Sequence, residues 1–131
     1  MSNFTAIHYE YADEHNYKAG NTVYVAGMFS PEQLQLLADK LSDGQFFIPP
    51  QVGLEALQHK LISFPSEADH VWHSLDSEDF EVLEELPAGE VVLCSVADLV
   101  ERFRLVNWDV AHEYERLGLD DVSEEGEAVD D

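Results

Sequence analysis

Residues 4–41 read FTAIHYEYADEHNYKAGNTVYVAGMFSPEQLQLLADKL, and they predict two strands followed by a helix. The first eight of these residues alternate in the way that a half-buried strand does. One face of this strand would carry Thr5, Ile7, Tyr9 and Tyr11. Residues 21–28 form a second β-type run, and the connection between the two runs is short. We therefore predict an antiparallel hairpin.

The helix that follows has the clearest local signals of the chain. Ser30 is a suitable N-cap, Pro31 suits the first helical position, and Gln33 completes a capping box. The apolar residues then recur at helical spacing, namely Leu34, Leu37, Ala38 and Leu41. We predict that the helix stops before Gly44.

Shorter elements are predicted in the rest of the chain. Residues 79–86 suggest a strand, and residues 45–48 suit a brief strand or a buried extended piece. Residues 90–94 suit a strand or the entry to a helix, and residues 51–61 suggest a short helix. Ser95, with Asp98 three residues later, starts another helix, and residues 107–117 form a last one that ends at Gly118. On that last helix, Trp108, Ala111 and Tyr114 are spaced for one face. The expected fold is α+β, a small antiparallel sheet packed on one face by about three helices.

The charge of the chain is strongly negative. Among its 131 residues there are 28 Asp and Glu against 6 Lys and Arg, which gives a formal net charge of −22. Hydrophobic residues make up 45% of the chain, enough for a packed core, so a wholly disordered polyanion is excluded. A surface of this charge repels phosphate backbones and anionic lipids, so we predict no direct binding to nucleic acid or membranes.

The chain is predicted to be one domain with an acidic tail. Residues 119–131 contain seven acids and no Lys or Arg, so we expect a disordered tail after a single domain at 1–118. Residues 1–118 still carry a net charge of −15, since the tail accounts for only seven of the negative charges. The tail therefore does not explain the acidity of the folded part.

Several features indicate a cytoplasmic protein. The sequence has no apolar run long enough to span a bilayer, and its first residues lack the pattern of a secretory signal. A single cysteine, Cys94, excludes an intramolecular disulfide and a zinc site with several cysteines. No phosphate-binding loop or nucleophile motif occurs, so we expect no cofactor, and nothing in the sequence predicts an enzyme.

Three blocks carry a resemblance to a known family: YADEHNYK at 11–18, DGQFFIPPQVGL at 43–54 and DHVWHSL at 69–75. The chain resembles a family of short, acidic, uncharacterised bacterial proteins that are common on mobile elements. The likeness spans roughly residues 9–108. It implies a bacterial or phage origin and a single domain, and it implies no activity, cofactor or catalytic residue.

The best candidate for a metal site is Asp69, His70 and His73. On a helix the two histidines would share a face, and Asp69 could be a third ligand or could orient one of them. The H-x-x-H spacing lacks the glutamate of known zinc motifs, and a carboxylate beside a histidine is expected by chance in so acidic a chain. The favoured interpretation is structural, with Trp72 in the core and the histidines hydrogen-bonded to nearby groups. A metal-binding protein or metal-dependent hydrolase is the alternative.

A run of acids between residues 76 and 85 is the strongest functional signal. We call it the acidic belt, and its members are Asp76, Glu78, Asp79, Glu81, Glu84 and Glu85. No Lys or Arg occurs from residue 61 to residue 101. Same-face carboxylates on a strand are roughly 6.6–6.8 Å apart, so they could supply part of a row resembling DNA phosphates.

The function predicted from this belt is binding rather than catalysis. We expect an acidic interaction protein that binds a basic protein surface. A narrower form of this prediction is an inhibitor that mimics nucleic acid and binds a host or defence enzyme that acts on nucleic acid. Besides the metal-binding protein or hydrolase, the second alternative to this function is a housekeeping protein whose acidity reflects the acidic proteome of a halophilic host.

Overall fold

A mixed sheet of six strands lies against three α-helices in the computed structural model, which describes residues 3–62 and 64–119. The strands are β1 (Phe4–Ala12), β2 (Lys18–Ala26), β3 (Phe46–Phe47), β4 (His73–Leu75), β5 (Glu81–Leu83) and β6 (Val92–Ser95). The helices are α1 (Pro31–Lys40), α2 (Val96–Leu105) and α3 (Val110–Leu117). The α+β class is confirmed. The predicted tail lies, apart from Leu119, outside the described residues.

The sheet is organised around β1. Its order is β3-β4-β1-β2-β6, and β5 also pairs with β1. The β1–β2 hairpin is antiparallel as predicted, and β4 and β5 pair antiparallel with β1. The β2–β6 pair is parallel, which departs from the wholly antiparallel sheet expected from the sequence. The reason is topological, because residues 84–91 carry the chain from β5 across the hairpin to its other side.

The predicted alternation of β1 places its side chains as expected. Thr5, Ile7, Tyr9 and Tyr11 are all buried. Ile7, Tyr9 and Tyr11 form the core with apolar side chains of the helices, including Leu37, Leu99 and Phe103. His8 and Glu10 lie on the opposite, exposed face. The sheet is therefore covered by helices on one face.

Local capping signals define α1 and α2. The Ser30 hydroxyl accepts from the backbone N–H of Gln33 at 3.1 Å, and the Gln33 side chain accepts from the Ser30 N–H at 2.8 Å. Ser95 caps α2 by accepting from the Asp98 N–H at 3.0 Å. Both predicted helix starts are confirmed, because a capping box depends only on neighbouring residues.

The last helix is shorter than predicted and presents a different face. It begins at Val110, so Trp108 precedes it, and its Asp109 cap accepts from the His112 N–H at 3.0 Å. Ala111 is exposed, whereas Glu113 is buried and pairs with Arg116, the Oε1–Nε distance being 2.7 Å. The predicted apolar face was wrong, because it assumed one more turn at the start of the helix.

The segment after β3 contributes to the core and contacts the residue that caps α3. Instead of the predicted helix over 51–61, it forms two short 3-10 helices, Pro49–Val52 and Gln58–Lys60. The Gln51 amide donates to the Asp109 carbonyl and accepts from the Asp109 N–H, both at 2.9 Å. Gly53 takes a left-handed φ of +84° directly after Val52, which ends the first 3-10 helix and prevents an α-helix from continuing through 51–61. This segment thus positions the start of α3.

Gly53 is required at the end of the first of these 3-10 helices. Its φ is +84°, and a Cβ there would lie 2.5 Å from the Arg102 guanidinium. Gly44 has a similar φ of +73° with open space around it. We expect Gly44→Ala to lower the free energy of unfolding by about 1 kcal/mol, from the φ alone. For Gly53→Ala we expect a loss of the same size, because the atoms that a Cβ would meet are the far end of the flexible Arg102 side chain, which can turn away. Urea titration measures both losses, and a loss at Gly53 more than twice that at Gly44 would contradict this argument.

None of the described helices combines the length and the apolar composition needed to cross a membrane.

Candidate functional site

The acidic belt lies on the chain that runs from the end of β4 to just beyond β5. All six of its carboxylate side chains are exposed. Asp76 caps a short 3-10 helix, Ser77–Asp79, by accepting from the Glu78 N–H at 2.9 Å. The next residue, Phe80, packs against Phe29 with ring centroids 5.3 Å apart. This apolar contact holds the segment against the core while its acids face solvent.

The strand within the belt is shorter than predicted. Only Glu81–Leu83 form β5, whereas the sequence suggested a strand over 79–86. The residue on the same face as Glu81 is Leu83, so this strand does not carry a row of carboxylates. The belt is instead distributed over a turn, a strand and the bend that follows. It is a local patch of negative charge rather than a linear row.

The carboxylates of the acidic belt form no ion pair within the described residues. Within the described residues, the ion pairs are His8–Glu10, His59–Glu55, Arg104–Glu101 and Arg116–Glu113. None of them includes a belt carboxylate. Because the six acids are exposed and lack a basic neighbour in this part of the chain, their field extends into solvent, where a basic partner would meet it.

A cleft of about 310 Å³ opens beside the belt, between β1, the end of β4 and the end of α1. Asp76 and Asp79 of the belt contribute to its wall, and so does Glu10 of β1. His8 also lines it, with its Nε2 3.4 Å from the Glu10 carboxylate and its Nδ1 3.0 Å from the Thr22 hydroxyl. The cleft therefore has an acidic mouth with a single histidine.

The residues proposed as metal ligands lie in a loop and a strand rather than on a helix. His70 precedes β4 and His73 begins it, so the helical face that would have brought them together is absent. Asp69 is buried, and its Oδ1 accepts from the Tyr11 hydroxyl at 2.6 Å. Its Oδ2 accepts from the Ser66 N–H at 2.8 Å. Hydrogen bonds to the chain thus occupy both oxygens.

Both histidines use both ring nitrogens in contacts with the backbone. The His70 Nδ1 accepts from the Trp72 N–H at 3.1 Å, so its Nε2 is the atom that donates to the Ala12 carbonyl at 2.8 Å. The His73 Nε2 accepts from the Leu57 N–H at 3.0 Å, which leaves Nδ1 to donate to the Val71 carbonyl at 3.2 Å. These bonds fix a neutral tautomer for each ring.

His73, rather than Trp72, is the side chain that enters the core. It is 1% exposed and lies between Tyr11 and Phe47, whereas Trp72 is half-buried. The pKa of His73 is lowered to about 3, mainly by burial and in smaller part by the nearby His70, against the raising effect of the Val71 carbonyl. The predicted hydrogen bonding of the histidines is confirmed, but the choice of Trp72 as the buried residue was wrong.

The arrangement does not favour a metal centre. Within residues 3–62 and 64–119, no group of three or more His, Cys, Asp or Glu side chains is placed to hold a metal ion. Asp69 and His70 instead connect the loop before β4 to β1, and His73 connects the start of β4 to the backbone at Leu57. Their role in the structure is positioning.

Tyr11 is a central residue of this network that the sequence did not single out. Its hydroxyl donates to Asp69 and accepts from the His70 N–H at 3.1 Å. Burial, together with the Asp69 hydrogen bond, raises the pKa of Tyr11 well above its usual range. The partners are 58 residues away in sequence, so only the alternation of β1 could have indicated that this tyrosine is buried.

We expect Tyr11→Phe to lower the free energy of unfolding by about 3 kcal/mol, because it leaves a buried carboxylate oxygen and a buried N–H without their partner. Tyr17→Phe is the matched control, since Tyr17 is 60% exposed, and it should change stability by less than about 0.5 kcal/mol. Urea titration at pH 7 measures both. A loss at Tyr11 no larger than that at Tyr17 would contradict the network.

Comparisons with protein-family models, with curated proteins and with solved structures find no match to this chain. The resemblance carried by residues 43–54 therefore stays a prediction. In the structure those residues include β3, the first 3-10 helix and Gly53, which accounts for their composition by packing. The site has to be interpreted from its own geometry.

Proposed function

We propose that this protein is a non-enzymatic interaction protein whose acidic belt binds the basic surface of another protein. The observation that carries the proposal is the exposure of six carboxylates on one short segment, with no basic partner in the described chain. Charges of this kind steer a partner of opposite charge and accelerate its association. As part of the same proposal, we place the protein in the cytoplasm.

The finer proposal is that the partner is a nucleic-acid-binding enzyme which the belt inhibits by occupying its phosphate-binding cleft. Its support is the net charge of −15 on residues 1–118 together with the local density of the belt. Carboxylates can satisfy lysine and arginine side chains that otherwise contact phosphates, and such contacts need no base sequence. Because the belt is a patch rather than a row, it would cover only a few phosphate positions.

The test uses the full-length chain, immobilised, with bacterial lysate passed over it at 50 mM and at 500 mM salt. Proteins retained only at low salt are purified and re-bound one at a time. Each is then challenged with a 30-base-pair DNA duplex. We expect at least one basic protein to bind and to be released by the duplex. If duplex DNA does not release the bound proteins, the proposal of nucleic-acid mimicry is overturned. If binding is unchanged at high salt, the broader proposal of electrostatic binding to a basic surface is overturned.

A further inference from the structure

The edge strand β6 presents an exposed apolar surface. It ends the path of the sheet, pairing with β2 on one side and with no other strand of the described chain on its outer side. Val91, Val92 and Leu93 are 78%, 39% and 38% exposed. Val91 precedes the strand, and the register with β2 shifts at Leu93, so these three apolar side chains do not alternate regularly between the two faces.

The other edges of the sheet do not share this character. The edge strand β3 has only two residues, and β5 contains Glu81 and continues into Glu84 and Glu85. Natural sheets use short strands, bulges and charges at their edges to prevent pairing with other chains. β6 has four residues and a register shift at Leu93, but it is longer than β3 and β5 and its residues include no charge. Of the three edges it is therefore the best suited to accept an added strand.

The charges that border β6 indicate what would pair with it. Glu90 lies two residues before β6, Asp98 lies in the first turn of α2 just after it, and both are exposed. A second copy pairing antiparallel would bring Glu90 of one copy towards Asp98 of the other, and would join two chains of charge −22. A segment with Lys or Arg at its ends would instead meet opposite charges.

We infer that β6 is a docking edge for an extended segment of a partner protein, apolar in its centre and basic at its ends, which adds to the sheet as a new strand. Backbone hydrogen bonds along β6 supply the pairing, and Val91, Val92 and Leu93 supply the apolar contacts. The inference rests on the proposed function in one respect, namely that the partner is positively charged. The surface itself is separate from the acidic belt, since β6 and β5 lie on opposite sides of the β1–β2 hairpin.

The probe is a peptide capped at both ends, Lys-Val-Thr-Val-Thr-Val-Lys, compared with the same peptide N-methylated at its five internal amides. Methylation removes the N–H groups that would donate strand hydrogen bonds to β6, and it leaves side chains and charges unchanged. Affinities are measured by NMR titration of the full-length, ¹⁵N-labelled protein. We expect the unmethylated peptide to bind at least tenfold more tightly and to shift the backbone amide signals of residues 91–95.

Leu93→Lys should weaken this binding at least tenfold. Leu105→Lys is the matched control, because it makes the same change at an exposed leucine at the end of α2, and it should leave the affinity within twofold. The methylated peptide tests the inference without any change to the protein, so it does not depend on how the variants fold.

Three results would overturn the inference. The first is equal affinity for the two peptides, or binding of neither. The second is a set of shifts confined to residues 76–85, which would support the proposed function of the acidic belt while removing β6 as the site. The third is self-association of the unmodified chain, seen by light scattering and lost in Leu93→Lys, which would make a second copy the occupant.

Discussion

Neutralising the acidic belt should weaken binding to a cationic probe by at least tenfold. The variant replaces Asp76, Glu78, Asp79, Glu81, Glu84 and Glu85 by the corresponding amides. Each exposed carboxylate contributes only a few tenths of a kcal/mol to a contact, but six on one patch act together on the same partner. The probe is decalysine, and its dissociation constant is measured by fluorescence anisotropy at 50 mM salt.

The control for this variant carries the same change in charge at other places. It replaces six exposed acids outside the belt, again four glutamates and two aspartates, which are Glu14, Glu32, Asp39, Asp43, Glu67 and Glu115. Because the two variants have equal net charge, a difference between them reports the position of the charges. We expect the control to lose less than threefold. Equal losses would show that decalysine responds to total charge and would contradict a localised site.

Acid should destabilise the fold through His73. In the folded protein the pKa of His73 is lowered to about 3, whereas an unfolded chain has a histidine pKa of about 6.5. Between these values the unfolded state binds one more proton than the folded state, so stability rises with pH across the interval. The slope approaches about 1.4 kcal/mol per pH unit, and the loss at pH 4.5 is on the order of 3 kcal/mol.

The His73 contribution is isolated by a variant that cannot titrate. His73→Gln keeps an acceptor for the Leu57 N–H but loses the ring that lies between Tyr11 and Phe47, so we expect it to be less stable at pH 7. Its free energy of unfolding should nevertheless depend less steeply on pH between pH 5 and 6.5. His15→Gln is the control, since His15 is exposed and should leave the slope unchanged. Urea titrations at four pH values provide the slopes. A His73→Gln slope equal to that of the unmodified chain would contradict the burial argument.

The parts of the fold that sequence predicted are those determined by near neighbours. Ser30 and Gln33 interact across one helical turn, and the alternation of β1 is visible within eight residues. The pairs that sequence could not reveal join distant residues, such as Tyr11 with Asp69 or Gln51 with Asp109. The parallel placement of β6 likewise depends on how residues 84–91 cross the hairpin, which no local pattern encodes.

The candidate site was predictable in composition but not in shape. The run of acids was evident from the sequence, and their exposure follows from the cost of burying a charge. The position of Phe80 against Phe29 was not evident, and neither was the 3-10 helix Ser77–Asp79, after which β5 begins only at Glu81. For His70 and His73, spacing alone suggested ligands. The backbone groups that occupy their nitrogens include Ala12 and Leu57, which are too distant in sequence for a motif to reveal.

The placement of β1 has a consequence for synthesis of the protein. Its hairpin partner emerges from the ribosome immediately after it, but Leu75 and Val82, which pair with its other edge, follow more than sixty residues later. Until then a nascent chain exposes an unpaired, apolar strand edge, which is the kind of segment that chaperones bind and that aggregates when translation stalls.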